Sequence, residues 1–219
     1  MNFTTGDLFY LQSDQQYHLY KLLMDDAAFN CYHVLTYAPL DRVPVQIDVE
    51  TLDIWMYHLP IDKEAFVNAT LLTNQPIIAE DLIGYHEYLR QTKAPKEYIP
   101  VATAYYRDGL RLTDEKKYPE AIDAYSKAVD LFPQFYEAID NRGFCKMDLG
   151  LWEDAIDDFH LSLEENPNSL LAEFSMGECY YKMGDYEKAK LHFEIAHQID
   201  PNHQAPIQFL AKVKSILNQ

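Results

Sequence analysis

Three prolines, Pro133, Pro167 and Pro201, stand 34 residues apart, and no other feature of this chain restricts its fold as tightly. The same step carries Gly109 to Gly143 to Gly177, Ala121 to Ala155 to Ala189, and Tyr125 to Phe159 to Phe193. It also carries Tyr118, Trp152 and Tyr186; Ile122, Ile156 and Lys190; and Ala128, Ser162 and Ala196. Many independent positions sharing one period define a repeated unit, and the residue types say what the unit is. A small residue in a first helix lets a second helix approach closely, an alanine in the second does the same, and aromatics fill the remaining gaps. Each proline follows a second helix, where a missing N–H and a fixed φ end it and set the turn into the next unit.

Each unit is therefore predicted to be a helical hairpin. With Gly at the eighth place, an aromatic at the seventeenth, Ala at the twentieth, an aromatic at the twenty-fourth and Pro at the thirty-second, the pattern resembles the tetratricopeptide family over about residues 102–201. Leu112 and Lys146 stand where that family commonly has an aromatic, Tyr180 and Tyr181 restore aromatic character in the third unit, and none of these departures breaks a helix. Beyond Pro201, Ile207, Leu210, Ala211, Val213, Ile216 and Leu217 recur at helical spacing, which predicts a helix capping the open end of the array. The expected repeats are 102–135, 136–169 and 170–203, with the cap over 204–218.

The first hundred residues read differently. Short runs rich in aromatic and β-branched residues, 7–11, 17–24, 31–37 and 53–58, are punctuated by Ser13-Asp14 and by Ala38-Pro39-Leu40-Asp41. They predict four strands in a small antiparallel sheet or partly open barrel. Short helices are expected over 62–69, with Asp62 as N-cap, and over 80–91. The whole is an α+β chain: a sheet domain over 1–95, a linker over 96–101 overlapping the proline-bearing stretch 92–100, and an all-α solenoid over 102–219. The opening Gly6-Asp7-Leu8-Phe9-Tyr10, followed by Tyr17-His18-Leu19-Tyr20-Lys21-Leu22, resembles the start of small β-rich immunity proteins of bacterial toxin systems. That resemblance implies neutralisation of a cognate toxin.

Charge restricts the partners. The chain has 35 acidic and 18 basic residues, a formal net charge of −17. Residues 1–101 carry 6 basic and 14 acidic residues (net −8) and the rest 12 and 21 (net −9), so the acidity is spread over both halves. Nucleic acid and anionic membrane, both polyanionic, are disfavoured, and a basic protein or peptide is favoured. No basic leader and no long apolar run occurs, so a cytoplasmic protein is expected. Cys31, Cys145 and Cys179 are far apart and odd in number, and read as reduced, buried thiols.

Signatures that carry chemistry are absent: no phosphate-cradling glycine loop, no His-Glu-x-x-His, no Gly-x-Ser-x-Gly. No enzyme, cofactor or metal site is read from the sequence. His192 and His197 are five apart and cannot share a helix face. His18, His33 and His58 occupy similar places in three expected strands and would form the site of an enzymatic alternative, although the sequence places no carboxylate beside them. Glu153, Asp154, Asp157 and Asp158 are expected on a solvated outer face.

The tetratricopeptide resemblance implies a partner groove built from the first helix of each unit. Carried over place by place, it consists of Thr103, Tyr106, Arg107, Leu110, Thr113 and Asp114; Glu137, Asp140, Asn141, Phe144, Met147 and Asp148; and Leu171, Phe174, Ser175, Glu178, Tyr181 and Lys182. Aromatics ringed by carboxylates suit a protein or peptide groove. The family's chaperone-binding members hold a C-terminal carboxylate with lysines, asparagines and an arginine. Only Asn141 fits that clamp, because Tyr106, Leu110, Leu171 and Ser175 stand at its other places. Two readings of a non-catalytic binding protein stay open: an immunity protein with one tight basic ligand, and an adaptor or assembly scaffold with two or more partners.

Overall fold

The computed structural model describes residues 2–42 and 51–218 and divides into two units, Met1–Tyr98 and Ile99–Gln219. In the first, strands β1 (Asp7–Ser13), β2 (Gln16–Asp26), β3 (Cys31–Tyr37), β4 (Ile54–Asp62) and β5 (Thr70–Asn74) form an antiparallel sheet in the order β4-β3-β2-β1-β5. Asp14 and Gln15, at φ 51° and 67°, make the two-residue turn joining β1 to β2, where paired positive φ values match the strand twist. Among the described residues the sheet has β4 and β5 at its edges and does not close on itself.

Two further expectations are corrected. The helix expected over 62–69 is a single 3₁₀ turn, Lys63–Phe66, and Asp62 is the last residue of β4 and accepts no capping hydrogen bond through its side chain. β5 was not foreseen: Thr70–Asn74 is a short, mostly exposed edge strand without apolar alternation, and only its pairing with β1 distinguishes it from a loop.

Helix α1 (Ala79–Thr92) packs on β4 and β2. Gly84 makes this possible, since a Cβ there would lie 2.8 Å from Tyr57 and 2.9 Å from His58. The β3 strand is covered on both faces. Tyr32 and Val34 join Phe3, Phe9, Leu22, Phe66 and Ala69 in one core, while His33 faces Tyr85 and Tyr88 of α1. On the α1 side Lys21 meets Asp81 at 2.6 Å, and the same carboxylate accepts the Ile78 N–H at 2.9 Å, capping the helix start.

The remaining helices are α2 (Pro95–Asp114), α3 (Tyr118–Leu131), α4 (Tyr136–Asp148), α5 (Trp152–Glu165), α6 (Leu170–Met183), α7 (Tyr186–Ile199) and α8 (Gln204–Leu217). The segment expected as a linker, 96–101, is helical and lies inside α2. Pro133, Pro167 and Pro201 each come two residues after the helix they follow, at α3, α5 and α7. Gly109, Gly143 and Gly177 abut the rings of Tyr125, Phe159 and Phe193, with clearances of 2.5, 2.9 and 2.5 Å for an added Cβ. The 34-residue step is thus a repeated glycine-on-aromatic contact between the helices of each hairpin. Around it the cores centre on Ala121, Tyr125 and Ala128, then on Ala155, Phe159 and Met176, and finally on Ala189, Phe193 and Val213, where α8 closes the array.

Candidate functional site

The first helices α2, α4 and α6 supply every residue expected in the groove, and the structure sorts those residues into three groups. Arg107, Leu110, Asp114, Glu137, Asp148, Leu171 and Lys182 are exposed. Thr103, Tyr106, Thr113, Asn141, Phe144, Met147, Phe174, Glu178 and Tyr181 are half-buried, and Asp140 and Ser175 are buried. The aromatics are not free anchors: Tyr106 packs at a tilt on Phe135 at 4.8 Å, Phe144 on Phe159 at 5.4 Å and Phe174 on Phe193 at 5.4 Å. Phe174 and Tyr181 also meet Phe209 of α8, at 5.3 and 5.9 Å. Each ring leans on a core ring, leaving one flank and the neighbouring acids to solvent.

Asn141 Nδ2 donates to the Glu137 carbonyl at 2.7 Å and lies 3.5 Å from the Tyr106 hydroxyl, so the one residue matching the carboxylate clamp is engaged within the array. Ser175, 1% exposed, presents nothing to a ligand. Burial pushes the Asp140 carboxyl up, with the Ser162 side chain opposing, and burial also raises Glu178 against the pull of Lys182.

Asp158 contradicts its expected place on a solvated face. It is 3% exposed and accepts Arg142 Nη2 at 2.7 Å, while Lys146 Nζ lies 2.8 Å away; Arg142 reaches on to Ser126 at 3.2 Å. This network ties α3, α4 and α5 together. One repeat later the equivalent place holds His192, 2.8 Å from Glu173. Glu153, Asp154 and Asp157 are exposed as expected.

In the sheet unit, His33 and His58 come together across β3 and β4, with Nδ1 of His33 2.7 Å from Nε2 of His58 and the rings stacked at 5.0 Å. His18 stands apart, paired with Leu11 on β1. Burial and the adjoining His33 push His58 down to about 4, so at neutral pH its ring carries no charge. A carboxylate is present after all: Asp26 Oδ2 lies 3.7 Å from His33 Nε2, and Cys31 Sγ lies 3.9 Å from the same nitrogen. Cys31 is half-buried rather than buried, unlike Cys145 and Cys179. Asp26 escaped the sequence reading because its proximity follows from the β2/β3 register, which pairs it directly with Cys31.

Residues 171–203 match the model of the tetratricopeptide repeat family. The helical unit is built of tetratricopeptide-like hairpins. A structure described as the first TPR of Spaghetti (RPAP3) bound to HSP90 peptide SRMEEVD aligns with a TM-score of 0.52 at 25% identity, covering 54% of this chain and 94% of that one. Among curated relatives, Hsp70-Hsp90 organizing protein 3 of Arabidopsis thaliana is 30% identical over 157 residues, 71% of this chain and 28% of the relative. Photosystem I assembly protein Ycf3 of Synechococcus sp. (strain CC9605) is 36% identical over 86 residues, 38% of this chain and 50% of the relative. The chain thus spans half or less of the length of each. A protein-interaction tetratricopeptide module is what these likenesses support, and the immunity reading gains nothing from them. No helix among the described residues is long and apolar enough to cross a membrane.

Proposed function

We propose that this chain is a non-catalytic adaptor or assembly factor whose tetratricopeptide array takes a basic or neutral protein segment in the groove of α2, α4 and α6. The observation carrying this reading is the makeup of the exposed groove residues. Leu110 and Leu171, 37% and 48% exposed, stand among the acids Asp114, Glu137 and Asp148, which outnumber the exposed bases Arg107 and Lys182, and no lysine or arginine occupies a clamp place. A peptide ending in a free carboxylate and carrying further acids would meet repulsion there, whereas apolar side chains flanked by lysine or arginine would meet both leucines and acids. The relatives named as organizing and assembly proteins favour the adaptor over the immunity protein. The sheet unit would serve a second partner, with Trp55 and Tyr57 of edge strand β4 exposed by 61% and 47%.

Fluorescence anisotropy with two labelled peptides tests the groove: SRMEEVD, and a peptide of the same length with leucines and lysines in place of its apolar and acidic residues. Tighter, salt-sensitive binding of the basic peptide is expected. Tighter binding of SRMEEVD would return the array to the carboxylate-clamp class and defeat the proposal.

A further inference from the structure

Asp26, Cys31 and His33 lie outside everything the adaptor reading uses, yet the sheet geometry gathers their donor atoms in one place. Cys31 and His33 are two apart on β3 and share a face, and Asp26 is the cross-strand partner of Cys31 at the end of the β2–β3 hairpin. The three ligand-type atoms, one sulfur, one imidazole nitrogen and one carboxylate oxygen, all lie within 4.8 Å of one another. From this geometry we infer a zinc-class divalent metal site with three protein ligands, His33 Nε2, Cys31 Sγ and Asp26 Oδ2, and a fourth position open to solvent.

The spacing suits such an ion. Zinc with ordinary bond lengths in a tetrahedral arrangement holds its nitrogen and sulfur ligands about 3.6 Å apart and its nitrogen and oxygen ligands about 3.4 Å apart. The separations of 3.9 and 3.7 Å about His33 Nε2 need a few tenths of an ångström of closure, and the sulfur and the carboxylate oxygen lie within 4.8 Å of each other.

The surroundings orient each donor. The Ala28 and Phe29 N–H groups donate to Asp26 Oδ1 at 3.1 and 3.2 Å, which fixes the carboxylate and leaves Oδ2 directed at His33. His33 is only 2% exposed and its ring is wedged among His58, Tyr85 and Tyr88. His33 Nδ1 and His58 Nε2 lie 2.7 Å apart, and with the proton of that bond on His33 Nδ1 the lone pair of His33 lies on Nε2, facing the other two donors. A ligating histidine whose second nitrogen is held by a hydrogen-bond partner is the usual support of a metal site. Without a cation the other tautomer, with Nε2–H toward Asp26 across 3.7 Å, fits the same geometry, and metal capture selects the tautomer with a free Nε2 lone pair. A thiol binds metal as the thiolate, so metal capture releases the Cys31 proton to solvent as the sulfur–metal bond forms. Lys63 is committed to Asp25, and Lys93 sits over the Phe29 ring at 5.6 Å, so neither occupies the site. Mixed nitrogen, sulfur and oxygen donors select zinc, or cobalt as its spectroscopic stand-in, over calcium or magnesium.

The test titrates the full chain, freed of metal by chelation, with Co²⁺ alone and then with Zn²⁺. A tetrahedral cobalt spectrum with a thiolate-to-cobalt charge-transfer band, displaced stoichiometrically by Zn²⁺, is expected. Cys31→Ser, at a half-buried position, should abolish the charge-transfer band and weaken zinc binding at least tenfold, and His58→Phe should weaken it by about tenfold while keeping the band. Cys145 and Cys179 remain in every variant, so a charge-transfer band that persists in Cys31→Ser would place the metal elsewhere and overturn the inference. So would the absence of a thiolate band in the unaltered chain, or zinc binding weaker than about millimolar.

Discussion

Gly177 of α6 lies against the Phe193 ring of α7 so closely that a methyl group built on it would come within 2.5 Å of Cε1 and 2.6 Å of Cδ1. The ring is fully buried and cannot swing aside, so Gly177→Ala forces the two helices apart. Overpacking of this kind costs about 1–3 kcal/mol, against which alanine regains up to about 1 kcal/mol of helix propensity. A net loss of up to about 2 kcal/mol in urea unfolding followed by far-UV circular dichroism is expected for Gly177→Ala, and a smaller one for Gly143→Ala, where the clearance is 2.9 Å. Equal stability for all three proteins would mean that the glycine-on-aromatic contact does not set the helix spacing.

Lys21 and Asp81 form a buried pair, their side chains 6% and 10% exposed, with Lys21 also donating to the Pro76 carbonyl at 3.1 Å. Removing one partner of such a pair leaves an uncompensated charge, a cost of about 3–5 kcal/mol. Lys21→Met should destabilise the sheet unit by that order while the helical unit unfolds as before, and joint replacement with Asp81→Leu should recover much of the loss. Hydrogen exchange read peptide by peptide over residues 1–98 and 99–219 separates the two.

The Asp140 carboxyl is raised by burial, so the folded chain holds its proton more tightly than the unfolded chain. That linkage favours the folded state at pH values below the ordinary carboxylate pKa, and the advantage is lost as pH rises through the elevated folded value. Asp140→Asn, neutral throughout, should therefore melt a few degrees higher than the parent at pH 7 and lose that advantage near pH 3. Thermal melts at both pH values check it; a variant less stable at pH 7 would show that the ionised carboxylate is needed.

Leu171 is 48% exposed and, among the described residues, belongs to neither core cluster around α6, which separates binding from folding. Leu171→Asp should leave the melting temperature nearly unchanged, surface changes of this kind costing within about 0.5 kcal/mol, while lowering affinity for an apolar-basic peptide severalfold. Undiminished affinity would move the partner surface away from the first helices.

What the chain's own pattern determined is the helical half. A period of 34 residues repeats the same local problem, how to seat one helix on the next, and Gly109, Gly143, Gly177 and the three prolines solve it with neighbours close in sequence. Hairpin order and the capping role of α8 are local consequences of that kind, so they can be read without a structure, whereas the start of α2 at Pro95 lies outside the repeat and was not. The sheet half depended on pairings between distant segments. Thr70–Asn74 is a strand only because β1 lies beside it, and Asp26 reaches His33 only through the β2/β3 register. Tertiary structure alone also decided that Asp158 is buried under Arg142 and Lys146, since helical spacing does not say which partner covers a charged face. Residues governed by contacts along the chain could be placed from the sequence, and residues governed by contacts across it could not, because register and cross-helix ion pairing leave no periodic trace.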